Sequence, residues 1–200
     1  MASVKHAKRK PTPAKKPAAP GGLPDGTKPG VLRWAVKTLQ DPAANKVDFA
    51  NVVAVTPTEI ANWPPMHVPP GKSPPRGAGP QEFKVYQVTG KALKMKLEAD
   101  GDYHFQVEDQ NGNVINVEIV QPKYAPNSLK LPEIEATRTA FEAMFGASHH
   151  VDSAYRPLDG RTITARGVGF WDELHGQGGN ANGFELHPTL SIKLADDAKH

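Results

Sequence analysis

Residues 103–120 read Tyr-His-Phe-Gln-Val-Glu-Asp-Gln-Asn-Gly-Asn-Val-Ile-Asn-Val-Glu-Ile-Val. Apolar side chains fall on every second position on both sides of Gln110-Asn111-Gly112, which predicts two antiparallel strands joined by a tight turn. A three-residue loop with Gly112 in the left-handed conformation sets Asp109 opposite Asn113, so Val107 faces Ile115 and Phe105 faces Val117. All the apolar residues then share one face, as a half-buried sheet requires. A two-residue loop would instead pair Phe105 with Glu118. The three-residue register also sets His104 directly opposite Glu118, on the face away from the core.

Just upstream, Glu82 to Glu98 reads as one long strand interrupted by Gly90, the mark of a bulge or sharp bend. Within it Leu93, Met95 and Leu97 alternate with Lys94 and Lys96. Pro132 to Phe145 has helical spacing, with Ile134, Thr137, Phe141, Met144 and Phe145 on one stripe, Glu133 and Glu135 in the first turn, and Gly146 after the end. Two further strands follow, Arg161 to Trp171 and Gly183 to Leu194. In the last, Phe184, Leu186, Leu190 and Ile192 face inward, while Glu185, His187, Thr189, Ser191 and Lys193 face outward.

Three strands, a helix and two strands, with the first strand bent, is an order that resembles the OB-fold, a five-stranded Greek-key barrel. The expected fold is therefore mainly β, an OB-like barrel over residues 81–195 with one helix between its third and fourth strands. The stretches Gly169-Phe170-Trp171-Asp172, His175-Gly176-Gln177 and Asn182-Gly183-Phe184-Glu185-Leu186-His187-Pro188 are similar to those of a widespread bacterial family of small, uncharacterised OB-like proteins. That resemblance implies the fold and no activity.

Upstream, residues 64–80 form a proline-rich linker expected to be extended and on the surface. Residues 31–63 form an N-terminal extension: Val31 to Leu39 suits a strand or a short helix, and Thr56-Pro57-Thr58-Glu59 is a capping box with proline at the first helical position. Residues 1–30 are Lys-, Ala-, Pro- and Gly-rich and read as a disordered basic tail. With 18 Gly and 20 Pro in 200 residues and 38% hydrophobic residues, part of the chain is expected to stay outside any core. The net charge of +3 is unevenly divided, with +6 on residues 1–30 and −4 on residues 81–195.

Composition excludes several classes. There is no cysteine, which removes disulfide scaffolds, Cys-ligated zinc, iron–sulfur clusters and thiol catalysis. No apolar run is long enough for a membrane span. No apolar stretch follows the basic residues of the tail, so a secretory signal is not expected and the expected location is the cytoplasm, with export by another route as the alternative. No serine sits in a Gly-x-Ser-x-Gly elbow.

The candidate chemistry follows from the register. His104 and Glu118 form one cross-strand pair, and closure of the last strand against the third would bring Glu185 and His187 beside it. Two imidazoles and two carboxylates can hold zinc or manganese, or supply a general acid–base pair, with Asp102 and His175 as additions. The plainer interpretation is a polar network fixing the barrel seam. Asp100-Gly101-Asp102 is similar to the Asp-Gly-Asp of staphylococcal-type nucleases, which are also OB-folds. Tyr103 and His104 follow where that family has Thr, however, and its downstream arginine motif is missing. As a turn between strands, Asp-Gly-Asp needs no chemistry. His149-His150 is a weaker metal candidate.

Lys8, Arg9, Lys10, Lys15 and Lys16 of the tail, with Trp171, His175 and Gln177 at the loop between the last two strands, are the candidate binding residues for nucleic acid or a protein assembly. The favoured expectation is a non-enzymatic binding or structural module without a cofactor. The alternative is a metal-dependent, phosphodiesterase-like hydrolase using His104, Glu118, Glu185 and His187.

Overall fold

Strand β2 (Lys84–Leu97) is fourteen residues long and closes the sheet on itself. Its first half pairs antiparallel with β6 (Thr162–Trp171), from Val85↔Val168 to Lys91↔Thr162. Its second half pairs antiparallel with β3 (Tyr103–Glu108), from Lys91↔Glu108 to Leu97↔Tyr103. The strand changes partners around Gly90, where a Cβ atom would lie 2.3 Å from the Glu108 carbonyl oxygen. Glycine is there to let the two backbones approach, and the register shift itself comes slightly later, between Ala92 and Lys94. Two strands complete the ring, β4 (Val114–Ile119) and β7 (Phe184–Leu194). β4 is antiparallel to β3 and parallel to β7, and β7 is antiparallel to β6. The result is a mainly β protein, a closed five-stranded barrel of mixed strand direction. The computed structural model describes residues 32–69, 71–148, 154–174 and 182–195. The basic tail with Lys8, Arg9, Lys10, Lys15 and Lys16, the His149-His150 pair, and His175 with Gln177 lie outside them.

The hairpin register is the one read from residues 103–120. Phe105 pairs with Val117, Val107 with Ile115 and His104 with Glu118, and Gly112 has φ 78°. Tyr103, Phe105, Val107, Ile115, Val117, Ile119 and Leu186 are buried together inside the barrel. Helix α3 (Leu131–Phe145) lies between β4 and the short strand β5 (Arg156–Pro157), and β5 pairs with Met95 and Lys94 of β2. Phe141 of α3 packs its ring 5.0 Å from Tyr103 and 5.1 Å from Phe105, so the helix is held by the core. Arg138 is buried on the same helix, bonded to Glu142 and to the carbonyls of Gly101 and Ile119.

The N-terminal extension is part of the folded body. Helix α1 (Trp34–Lys37) resolves the strand-or-helix ambiguity in favour of helix, and strand β1 (Asp48–Ala54) adds parallel to β2. Helix α2 (Pro57–Ala61) begins with the expected capping box: the Glu59 N–H donates to Thr56 Oγ1 at 3.1 Å, and the Thr56 N–H donates to Glu59 Oε2 at 2.7 Å. Leu39, Ala44 and Val47 form a second apolar cluster with Val85 and Val168 of the barrel.

Two buried arginines do the fastening. Arg33 makes a fork to Glu82 at 2.6 and 2.7 Å and also donates to the carbonyls of Pro74, Pro75 and Trp171. Glu82 accepts further bonds from the N–H groups of Gly77, Ala78 and Trp171, so every lone pair of a fully buried carboxylate is used. Arg76 bonds Asp41 and the carbonyls of Glu82 and Val36. Across 64–80, expected as a surface linker, Pro64, Pro65, Pro69, Pro75 and Pro80 are exposed, while Val68 and Arg76 are buried, and Arg76 ties Asp41 and Val36 of the extension to Glu82.

Removing one partner of such a pair strands the other as a buried charge. Arg33→Met is expected to lose about 3–5 kcal/mol of stability in urea unfolding monitored by tryptophan fluorescence. A loss below about 1 kcal/mol would show that the fork does not hold the extension.

Candidate functional site

The β3–β4 register and the parallel β4–β7 pairing, with Asn116 beside Glu185, set one row of polar residues across the outer surface of the barrel. Lys96 of β2 pairs with His104, and His104 with Glu118. Glu185 lies on the next strand with His187 two residues further along the same face. Asp102, two residues before His104, ends the row. The sequence brings these residues together as expected, but the face is not open. His104 is 7% exposed, Glu118 and Glu185 4%, His187 2% and Asp102 1%. The expected outward cluster is thus corrected to a buried one. Its cover comes from segments without strand periodicity. Arg33 and Lys37 of the α1 segment lie over the Phe170 ring, which packs 5.5 Å from His187, and Tyr155 packs 5.5 Å from His104.

His104 Nδ1 is in contact with Glu118 Oε1 and lies 3.9 Å from Glu98 Oε1. His187 Nδ1 is 3.1 Å from Glu185 Oε1, and its Nε2 is 3.5 Å from Asp102 Oδ2, too long for a good hydrogen bond. One ligand atom from each of Glu118, Glu185 and His187 falls within 4.8 Å of the others. Around that point Asp102 Oδ2, His104 Nε2, Glu118 Oε2, His187 Nε2 and the Tyr155 hydroxyl are buried with no hydrogen-bond partner. Buried polar atoms are nearly always satisfied, so these atoms, without partners in the protein, are available to a bound ion or to solvent.

The electrostatics agree. Burial and the neighbouring Glu185 push the Glu118 carboxyl well above the usual carboxylate range. Burial and Asp102 raise Asp100 to about 6. Burial holds His104 below the usual imidazole range. His187 goes the other way: burial opposes its charge, but the carboxylates of Asp102 and Glu185 beside its two ring nitrogens raise it to about 9. Burial also works against the Lys37 ammonium, yet Asp172, Glu185, Glu118 and Asp100 outweigh it and keep the lysine charged. Carboxylates outnumber cations in this pocket, and a divalent cation between Glu118, Glu185 and His187 would balance them.

The expected binding residue Trp171 lies in the barrel core. It is fully buried, its ring 5.1 Å from Phe184, because it points into the barrel and its backbone N–H binds Glu82. Tyr155 and Lys37 were missed. Neither sits in a periodic element that would aim it at the row, and only the docking of the extension and of the segment after α3 brings them there. A scan against protein-family models finds no match to this chain, and no curated protein matches it.

Like carboxylates crowded out of water destabilise the metal-free fold. Glu118→Gln is therefore expected to raise the stability of chelator-treated protein by about 1–3 kcal/mol in thermal unfolding. Destabilisation of that size would mean that the carboxylate is needed by the fold itself.

Proposed function

We propose that this chain is an OB-like barrel hydrolase dependent on a divalent metal, zinc or manganese, bound by Glu118, Glu185 and His187. The strand order, with α3 between the third and fourth barrel strands, supports the OB-like assignment. The observation that carries the function is the convergence of three ligand atoms within 4.8 Å amid buried, unpartnered donors and acceptors. Three protein ligands is the number found in catalytic zinc sites, against four in structural ones. A metal held by Glu118, Glu185 and His187 would supply Lewis acidity and lower the pKa of a bound water.

The rest falls to side chains of this chain. Glu118 at Nδ1 orients His104 and leaves Nε2 as its free nitrogen, the arrangement of a positioned general base. Hydrolysis adds water across an ester bond. The water oxygen joins the electrophilic centre, its proton passes to His104 Nε2, and the leaving oxygen departs with a proton returned by the imidazolium. The Tyr155 hydroxyl is a second donor beside the cluster. Under this proposal the basic tail recruits an anionic partner, nucleic acid first, with affinity that falls steeply with salt. Among the described residues no helix is long and apolar enough to cross a membrane.

The test begins with metal titration by calorimetry. Wild-type protein is expected to bind one zinc or manganese ion per chain, with affinity falling at least about 10–100-fold in Glu185→Gln and His187→Ala. His104→Ala should keep the metal and lose about 10²–10⁴ in turnover of bis-p-nitrophenyl phosphate or p-nitrophenyl acetate. Absence of binding, or equal affinity in the ligand variants, would overturn the proposal.

A further inference from the structure

We infer that the substrate of this site carries a phosphate group, held beside the metal cluster by Lys94, Lys96 and the Tyr155 hydroxyl. The inference rests on the metal-site proposal above and adds the class of ligand to it. The register shift between Ala92 and Lys94 leaves Lys94 and Lys96 at alternate positions of β2, and Lys96 pairs with His104. Their ammonium groups converge on one ring, 4.5 and 5.2 Å from the Tyr155 centroid, and Lys96 is steadied by Glu98 at 2.8 Å. Two like charges gathered at one aromatic face are an arrangement that an anion would relieve.

Tyr155 joins this cationic edge to the metal cluster. Its ring packs 5.5 Å from His104, and its hydroxyl is buried without a partner. Burial and the carboxylates of Glu118, Glu98 and Glu185 hold that hydroxyl protonated, so it is a neutral donor facing the acidic pocket. The site is therefore polarised. On one side Asp102, Glu118 and Glu185 offer only acceptors, suited to a cation. On the other, Lys94, Lys96 and Tyr155 offer donors, suited to an anion. Two ammonium groups and a divalent ion together match a tetrahedral phosphate, whose several oxygens can bridge a metal and separate donors. A carboxylate has only two oxygens and at most one charge to share between them.

Phosphate of this kind can come from a small phosphate ester or from a nucleic-acid backbone. The experiment uses full-length protein loaded with manganese, titrated with inorganic phosphate and with a single-stranded oligonucleotide at fixed salt. Wild-type protein should bind phosphate, and Lys94→Gln and Tyr155→Phe should each weaken it about tenfold while manganese affinity is unchanged. Weakening of the oligonucleotide by the same variants assigns the site to a nucleic-acid backbone. Weakening of inorganic phosphate alone assigns it to a small ester. Equal phosphate affinity in wild type and the Lys94→Gln, Lys96→Gln double variant, with manganese still bound, would overturn the inference and leave the metal site standing. Failure of manganese to bind at all would instead overturn the metal site, and the inference with it.

Discussion

The fork between Arg33 and Glu82 is the contact on which the rest of this architecture depends. Both side chains are buried, and each would be a severe liability alone. Together they use two short parallel bonds, and the guanidinium also lies 4.6 Å over the Phe170 ring. That geometry pins the chain just before α1 against the end of β6, and Lys37 follows one turn later above the acidic row. Without the fork the outer face of β4, β6 and β7 would be an ordinary wetted surface, and Glu118 and His187 would lose the burial that acts on both. The extension turns a barrel face into an interior.

An interior lined with carboxylates is unstable unless something balances it. Lys37 and a protonated His187 supply part of the balance, and burial beside Glu185 raises the pKa of Glu118 in the same sense. A protein selected for stability alone would replace such a cluster with apolar side chains at little loss. Sites that break the rules of good packing in this concentrated way are where function is expected, because the strain is tolerated elsewhere in the fold. Here the tolerance comes from the well-filled barrel core beneath and from two arginine clamps above.

Much of the barrel was legible in its sequence, and for a definite reason. Period-two alternation through Tyr103–Ile119, together with a loop that admits one good register, leaves little freedom, so the His104–Glu118 pairing follows from the hydrophobic pattern alone. The capping box at Thr56 and the stripe of α3 are equally local signals. What was not legible is tertiary. Arg33 and Arg76 look like ordinary surface arginines until their partners at Glu82 and Asp41 are known, forty-nine and thirty-five residues away in sequence. Burial of the His/Glu row could not be read from its strands, whose alternation marks it as outward, since the cover arrives on α1 and on the segment bearing Tyr155. Trp171 shows the converse: an aromatic beside a loop suggests a binding rim, while its strand parity places it in the core.

If Glu118, Glu185 and His187 hold one divalent cation beneath the extension, anomalous diffraction at the zinc edge from crystals of the zinc-loaded protein will locate it. A single strong peak is expected about 2.0–2.2 Å from a carboxylate oxygen of Glu118, one of Glu185 and a ring nitrogen of His187. A peak elsewhere, or none at this cluster in fully loaded crystals, would contradict it and return the buried row to a purely structural role.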